Sequence, residues 1–198
     1  MDTINHALFL ELNASAAPGA FMLALAIFFA VRLVYAVPLL IAFFWLRGGP
    51  SARKAMLVAS VAALSGLLVS YLIGKAWPQP RPFVIGLGHL WIPHAANATF
   101  PSNHLTFWWS VALAWLLWPG WRAAGAALAV LGLPVAWARV YLGVHFPLDM
   151  AGAFVVALCS AWLASAAARW YLEPLLRLTS ALHRRLFWPL IARGWLRE

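Results

Sequence analysis

Ala138-Arg139-Val140-Tyr141-Leu142-Gly143-Val144-His145-Phe146-Pro147-Leu148-Asp149 is a polar stretch between two long apolar segments. The chain has only five carboxylates, and Asp149 alone lies neither near a terminus nor in the C-terminal tail. Charge at membrane depth is costly and usually functional. His145 and Asp149 are four residues apart, so on a helix they would share one face. The carboxylate would then orient the imidazole for covalent catalysis; a buried ion pair that only anchors a helix end is the alternative.

The composition on either side of this stretch is that of an integral membrane protein. Hydrophobic residues make up 65% of the chain and charged residues 10%, whereas a soluble domain has about 25% charged residues. Thirteen tryptophans suit a chain that crosses two membrane–water interfaces. The net charge of +9 lies in the loops and tail, so we expect anionic lipid headgroups, and no nucleic acid, as partners.

Apolar segments of about 20 residues predict the membrane spans. Residues 3–16 form an amphipathic pattern that predicts a short interfacial helix. The run from Phe21 to Leu46 is long for one span, so we favour Arg32 at one interface and a span over 33–46, with one long tilted helix as the alternative. The further predicted spans are 55–73, 104–118, 122–138 and 147–168.

The C-terminal tail, residues 169–198, carries arginines among leucine, phenylalanine and tryptophan, which predicts a basic amphipathic helix on the membrane surface. The predicted fold is therefore all-α: a polytopic membrane helix bundle with about five transmembrane spans plus interfacial N-terminal and C-terminal helices. We expect a single domain, 1–198, with its core at 54–168. The sequence leaves the oligomeric state open.

The distribution of basic residues predicts the orientation, because arginine and lysine near span ends favour the cytoplasmic side. The basic residues of one set fall on a common side: Arg47, Arg53, Lys54, Arg122, Arg169, Arg177, Arg184, Arg185, Arg193 and Arg197. With that side cytoplasmic, the polar loop 75–103 and the stretch 138–149 both face outward.

That outer face collects an unusual set of polar residues. Lys75 and Arg81 open the polar loop, Pro101-Ser102-Asn103-His104 closes it, and the stretch 138–149 adds Arg139, His145 and Asp149. Three fixed cations against one carboxylate indicate a site for an anion with more than one charge. Two predicted helix N-termini, after Pro101 and around Pro147, would add free N–H groups and a favourable helix dipole.

These three segments resemble the signature of the type-2 phosphatidic acid phosphatase superfamily, which also includes vanadium haloperoxidases. Its pattern is Lys-x6-Arg-Pro, Pro-Ser-Gly-His and Ser-Arg-x5-His-x3-Asp. The resemblance implies that His145 is the phosphorylated nucleophile, that Asp149 orients it, and that His104 protonates the leaving group. It also implies that the phosphoryl oxygens are held by Lys75, Arg81, Ser102, Arg139 and the backbone N–H of Asn103.

The sequence departs from that pattern at three positions. Only five residues separate Lys75 from Arg81, one fewer than in the family pattern. Asn103 replaces the usual glycine, and Ala138 replaces the serine before the arginine. None of these changes touches the nucleophile, the acid or the orienting carboxylate.

The loop that runs through Pro93-His94-Ala95-Ala96 to Pro101-Ser102 resembles that of bacterial undecaprenyl-diphosphate phosphatases within this superfamily. The expected function is therefore hydrolysis of undecaprenyl diphosphate to undecaprenyl phosphate and phosphate, at the outer face of a bacterial inner membrane. Phosphatidylglycerophosphate, phosphatidate and lipid A phosphate are alternative substrates, and a non-enzymatic lipid or anion carrier is a further alternative. We expect His89 and His94 to make hydrogen bonds within the loop, with substrate contact as the alternative.

No metal or other cofactor is expected. Divalent cations prefer several oxygen ligands, commonly carboxylates, and two-metal phosphatases cluster acidic and histidine ligands. The outer face offers one carboxylate, which His145 is expected to engage.

Overall fold

A computed structural model describes residues 2–197, and these residues form helices and loops without a strand. The α-helices are α1 (Asp2–Leu12), α2 (Ala20–Ile27), α3 (Ala36–Arg47), α4 (Pro50–Ala76), α5 (Asn103–Leu117), α6 (Arg122–Tyr141) and α7 (Pro147–Ala192). A short 3-10 helix, Pro82–Ile85, lies in the α4–α5 loop. The all-α membrane bundle predicted from composition is confirmed.

Four helical segments are long and apolar enough to cross a membrane: Ala20–Arg47, α4, α6 and α7. The remaining predicted span is α5, which has 15 residues and a length of about 22 Å at 1.5 Å per residue. Because ten of its side chains are buried, α5 faces protein rather than lipid over most of its surface.

The region from 20 to 47 is one continuous helical run, which is the alternative that the sequence left open. A π-helical turn at Phe28–Arg32 and a 3-10 turn at Leu33–Tyr35 join α2 to α3 without a break. Arg32 therefore lies inside the run and does not mark the start of a shorter span, so the favoured division at that residue was wrong.

The core forms where α5 packs against α4, α6 and α7. Small residues allow this approach: a Cβ added at Gly66 of α4 would lie 2.7 Å from the Ser110 hydroxyl of α5. One turn further along α4, the Ser70 hydroxyl is 3.0 Å from that of Thr106. A buried tryptophan also links α5 to α6, since Trp108 Nε1 donates a hydrogen bond to the Leu128 carbonyl at 2.7 Å. Such pairs satisfy polar groups that lipid cannot satisfy.

The tail continues from the last span without interruption, because α7 extends for 46 residues to Ala192. Beyond that point the chain docks against the turn between α3 and α4. Arg53 Nη2 donates to the Arg197 carbonyl at 2.8 Å, and Arg47 Nη1 donates to the Trp195 carbonyl at 3.3 Å. Arg47 and Arg53, two of the basic residues predicted to share one side, thus lie with the end of the tail at one end of the bundle.

The opposite end of the bundle is where α4 and α6 finish and α5 and α7 begin. Helix α1 lies across it, with Phe9 fully buried. Asn13 Nδ2 donates to the carbonyls of Tyr141 and His89, both at 3.0 Å. The N-terminal helix therefore packs on the two loops that carry the signature motifs, and it helps to fix their position.

Candidate active site

The candidate site lies at this second end of the bundle, where the α4–α5 loop meets residues 142–146, the connection between α6 and α7. Gly143 makes the close approach of the two loops possible. Its φ is +80°, and an added Cβ would lie 2.1 Å from the His89 carbonyl oxygen. Any side chain at this position would strain the turn and push the loops apart.

His145 and Asp149 form the central pair, and both are buried. His145 Nδ1 is 3.0 Å from Asp149 Oδ2. His145 lies just before α7, whereas Asp149 lies in its first turn and accepts a hydrogen bond from the Phe146 backbone N–H at 2.9 Å. The predicted pairing is therefore present, but it is built by capping the start of α7 rather than by two residues on one helix face.

Thr99 is a third member of this pair that sequence reasoning missed. Its hydroxyl donates to Asp149 Oδ2 at 2.5 Å and lies 3.2 Å from His145 Nδ1. Asp149 Oδ2 thus accepts from an imidazole, a hydroxyl and a backbone amide. Because the carboxylate oxygen is held from three directions, the His145 ring has a single preferred orientation.

Arg81 faces the other ring nitrogen of the histidine. Its Nη1 is 3.2 Å from His145 Nε2 and also donates to the Val144 carbonyl at 2.7 Å. The guanidinium is clamped by Asn97, whose side-chain oxygen accepts from Nη2 at 2.8 Å and from Nε at 3.0 Å. Burial lowers the pKa of Arg81 to about 10, so the group stays protonated at neutral pH.

These contacts define the state of His145. Since Arg81 is always a donor, Nε2 accepts and the proton resides on Nδ1, directed at Asp149. Burial lowers the pKa of His145 well below its usual range, and the charges of Arg139 and Arg81 lower it further. The imidazole is therefore neutral, and the lone pair of Nε2 is directed at Arg81.

Two buried polar groups near the His145–Asp149 pair lack partners among the described residues: Arg139 Nε and the Ser102 hydroxyl. Arg139 is 2% exposed and Ser102 is 0% exposed. Leaving a buried donor unsatisfied costs about 1–3 kcal/mol, and such groups in a native structure call for an explanation. Both residues are predicted to hold phosphoryl oxygens, and a bound anion that reaches them would supply the missing hydrogen-bond acceptors.

His104 and Asn103 lie at the start of α5, next to Ser102, which is its N-cap residue. His104 is half-buried and close enough to Arg139, His145 and His94 to interact electrostatically. The Asn103 side chain is exposed, so its expected contribution is the backbone N–H in the first turn of α5. The structure therefore brings Arg81, Ser102, Asn103, His104, Arg139, His145 and Asp149 together.

Lys75 is not brought to this group. It lies in the last turn of α4, exposed, with its ammonium 5.7 Å from the centre of the Tyr71 ring. The N-terminus of α7 also differs from expectation, since the N–H groups of Phe146 and Leu148 are taken by Asp149 and Asn5.

The two loop histidines have different surroundings. His89 is exposed, and its backbone N–H donates to Asn13 Oδ1 at 2.7 Å. His94 makes the expected loop hydrogen bond, with Nδ1 3.0 Å from the Ala95 carbonyl. It also reaches the site, where its Nε2 is 3.1 Å from Arg139 Nη2. No feature of the sequence separated these two residues.

Comparisons with known proteins identify the family of this chain. Residues 54–172 match the family model of the PAP2 superfamily. The chain is 36% identical over the full length of both proteins to putative undecaprenyl-diphosphatase YbjG of Escherichia coli (strain K12). It is 32% identical to undecaprenyl-diphosphatase BcrC of Bacillus subtilis (strain 168), over 81% of this chain and 82% of that protein.

A solved structure shares the fold. The crystal structure of Aquifex aeolicus LpxE superposes with a TM-score of 0.67 and 22% identity, and the match covers 82% of this chain and 95% of that one. With four membrane-crossing segments, a family match over more than half its length and relatives that are undecaprenyl-diphosphatases by name, this chain is a multi-pass membrane lipid phosphatase that belongs to the PAP2 superfamily.

Proposed function

We propose that the enzyme hydrolyses undecaprenyl diphosphate to undecaprenyl phosphate and phosphate through a phosphohistidine intermediate. The observation that carries the chemistry is the pair of buried, unpartnered donors, Arg139 Nε and the Ser102 hydroxyl, beside a neutral histidine oriented by Asp149. The choice of lipid is supported by the names of two relatives with more than 30% identity over most of the chain.

In the first step, His145 Nε2 attacks the terminal phosphorus while the bond to the bridging oxygen breaks. Negative charge on the three equatorial oxygens is stabilised by Arg81, Arg139 and Ser102, with the Asn103 backbone N–H as a further donor. Positioning and electrostatic stabilisation of this kind supply most of the catalysis in phosphoryl transfer. Before the attack, the Nε2 lone pair accepts a hydrogen bond from Arg81 Nη1. Once Nε2 bonds to phosphorus, that Arg81 N–H is available to a phosphoryl oxygen.

His104 completes both steps by moving a proton. In its protonated form, which the negative charge of the bound diphosphate favours, it donates its proton to the bridging oxygen of the departing undecaprenyl phosphate. It then accepts a proton from the water that attacks the phosphohistidine. The Nε2–P bond breaks, phosphate leaves, and His145 regains its lone pair. Asp149 keeps its hydrogen bond to Nδ1 throughout, so it stabilises the positive charge that develops on the ring.

The substrate assignment is tested with purified protein in detergent. We expect phosphate release from undecaprenyl diphosphate with a kcat/KM at least about tenfold above that for phosphatidylglycerophosphate, phosphatidate or lipid A phosphate. The reaction should persist in excess EDTA, because the chemistry uses side chains alone. A clear preference for one of the other lipids would reassign the substrate, and activity restored only by a divalent cation would contradict the mechanism.

We also propose that the site faces the periplasm or the outside of a bacterial inner membrane. Ten of the fourteen lysines and arginines lie at the opposite end of the bundle or in the tail that docks there. Of the remaining four, Arg81 and Arg139 belong to the site. Basic residues beside short loops favour the cytoplasmic side. A phosphatase that recycles a lipid carrier needs its site where the diphosphate is released.

Single cysteines test this orientation in a Cys159→Ala background. Ala96→Cys lies in the exposed loop beside the site, and Ser51→Cys is exposed in the first turn of α4 at the other end. In intact cells or spheroplasts we expect a membrane-impermeant maleimide to label position 96 but to label position 51 only after the membrane is opened. The reverse pattern would turn the site toward the cytoplasm and contradict the recycling role.

A further inference from the structure

His94 is the one histidine at the site that the proposed mechanism does not use. It lies in the α4–α5 loop, half-buried, at the edge of the space beside His145. The centres of the His94 and His145 rings are 6.3 Å apart, and the ring planes are inclined by 75°. His94 is also close enough to His104 to interact with it electrostatically. It therefore stands next to the nucleophile and the proton donor at once.

Its hydrogen bonds determine which way His94 presents its free nitrogen. Nδ1 lies 3.0 Å from the Ala95 carbonyl, which can only accept, so Nδ1 carries the proton. Nε2 then accepts from Arg139 Nη2 at 3.1 Å. The ring is therefore neutral, and its Nε2 is directed at Arg139.

Arg139 has two different sides. Its Nε is buried and has no partner among the described residues. Its Nη2 is directed at His94, on the side of the half-buried loop. A planar guanidinium with several donors can bind oxygens on both sides simultaneously. The buried Nε suits an oxygen of the phosphoryl group that is transferred. Nη2, which faces the half-buried loop, suits an oxygen of a neighbouring phosphate.

We propose that His94 binds the second phosphate of a diphosphate substrate, the phosphate that leaves on the lipid, and thereby favours diphosphates over monophosphate esters. This role rests on the proposed function of the same site. An oxygen of the second phosphate takes the place of His94 Nε2 on Arg139 Nη2 and remains within hydrogen-bond reach of both groups.

The charge of His94 responds to such a ligand. Burial lowers its pKa, and the charges of Arg81 and Arg139 lower it further. A diphosphate offsets both arginine charges, so the pKa of His94 rises when the ligand is bound. Nε2 then gains a proton and donates a charge-assisted hydrogen bond to the second phosphate. A monophosphate ester has no oxygen at this position, and His94 gives it no advantage.

Competitive inhibitors of matched chemistry test this role without relying on the chemical step. Methylenediphosphonate has two phosphonate groups that cannot be hydrolysed apart, whereas methylphosphonate has one. We expect His94→Ala to weaken inhibition by methylenediphosphonate by about tenfold to a hundredfold, the range for loss of a hydrogen bond to a charged group. Inhibition by methylphosphonate should stay within about twofold. His94→Gln, which keeps a neutral donor, should recover part of the loss.

His89→Ala is the control, because His89 lies in the same loop but is exposed and outside the site. It should leave both inhibition constants unchanged. Equal weakening of the two inhibitors in His94→Ala, or no weakening of either, would contradict the role. Turnover by the wild-type enzyme tests the proposed function separately: if another lipid phosphate is the better substrate, the inhibition constants are measured with that lipid and still decide the role of His94.

Discussion

His145→Ala is expected to abolish hydrolysis, with kcat reduced by at least about 10⁴-fold, a loss typical of removing a member of a covalent catalytic group. The variant loses the Nε2 lone pair that faces Arg81 and, with it, the imidazole that Asp149 orients. Steady-state phosphate release in detergent measures the effect. Rapid quench into alkaline detergent with substrate labelled in the terminal phosphate should trap a labelled protein in the wild type and none in the variant.

The variant must remain folded for this result to count. Size-exclusion elution and the thermal midpoint should match those of the wild type within a few degrees, and His89→Ala should retain full activity. Asp149→Asn should retain a small residual rate, because it spoils the orientation of the ring but leaves an imidazole in place. An active His145→Ala enzyme would contradict the phosphohistidine intermediate.

Arg139→Met should lower kcat/KM by about 10³-fold, since the loss of one preorganised donor to a developing oxyanion costs about 10²–10³ and Arg139 also carries a full charge. The same change should not reduce stability. Methionine has a similar length, and it replaces a buried cation whose Nε has no partner among the described residues. Exchanging a poorly compensated buried charge for a packed apolar side chain is often neutral or stabilising.

The combination of a large loss of activity with an unchanged or raised thermal midpoint separates a binding role from a structural one. Arg139→Lys is the companion variant, and it should recover little activity because an ammonium cannot reproduce the planar fork. A loss of less than about tenfold in Arg139→Met, or a fall in stability that accounts for the lost activity, would remove Arg139 from the anion site.

Much of this arrangement could be predicted from the sequence. Apolar segments of membrane-spanning length predicted the helices, and helices that cross alternately return the chain to the same side after every second span. The segments that end in Arg81, begin at Ser102 and include His145 therefore had to meet at one end of the bundle. The basic residues at the other end followed the same alternation.

Tertiary contacts decided the features that periodicity left open. Periodicity could not divide the run from Ala20 to Arg47, because an unbroken helix and a helix interrupted at Arg32 have the same apolar pattern. The Lys75 side chain lies beside the Tyr71 ring at the end of α4, a direction that the apolar periodicity of the helix does not give.

The sequence by itself determined the membrane-embedded helical fold, because that fold depends on residue type and spacing along regular elements, and its resemblance to the family signature predicted which side chains react. Only the tertiary structure decided which loop residues support them. The supporting residues all come from the irregular α4–α5 loop. Thr99 contacts Asp149, Asn97 contacts Arg81, and His94 contacts Arg139. Such a loop has no period from which a side-chain direction can be read, and its path is set by packing against the neighbouring loop and α1.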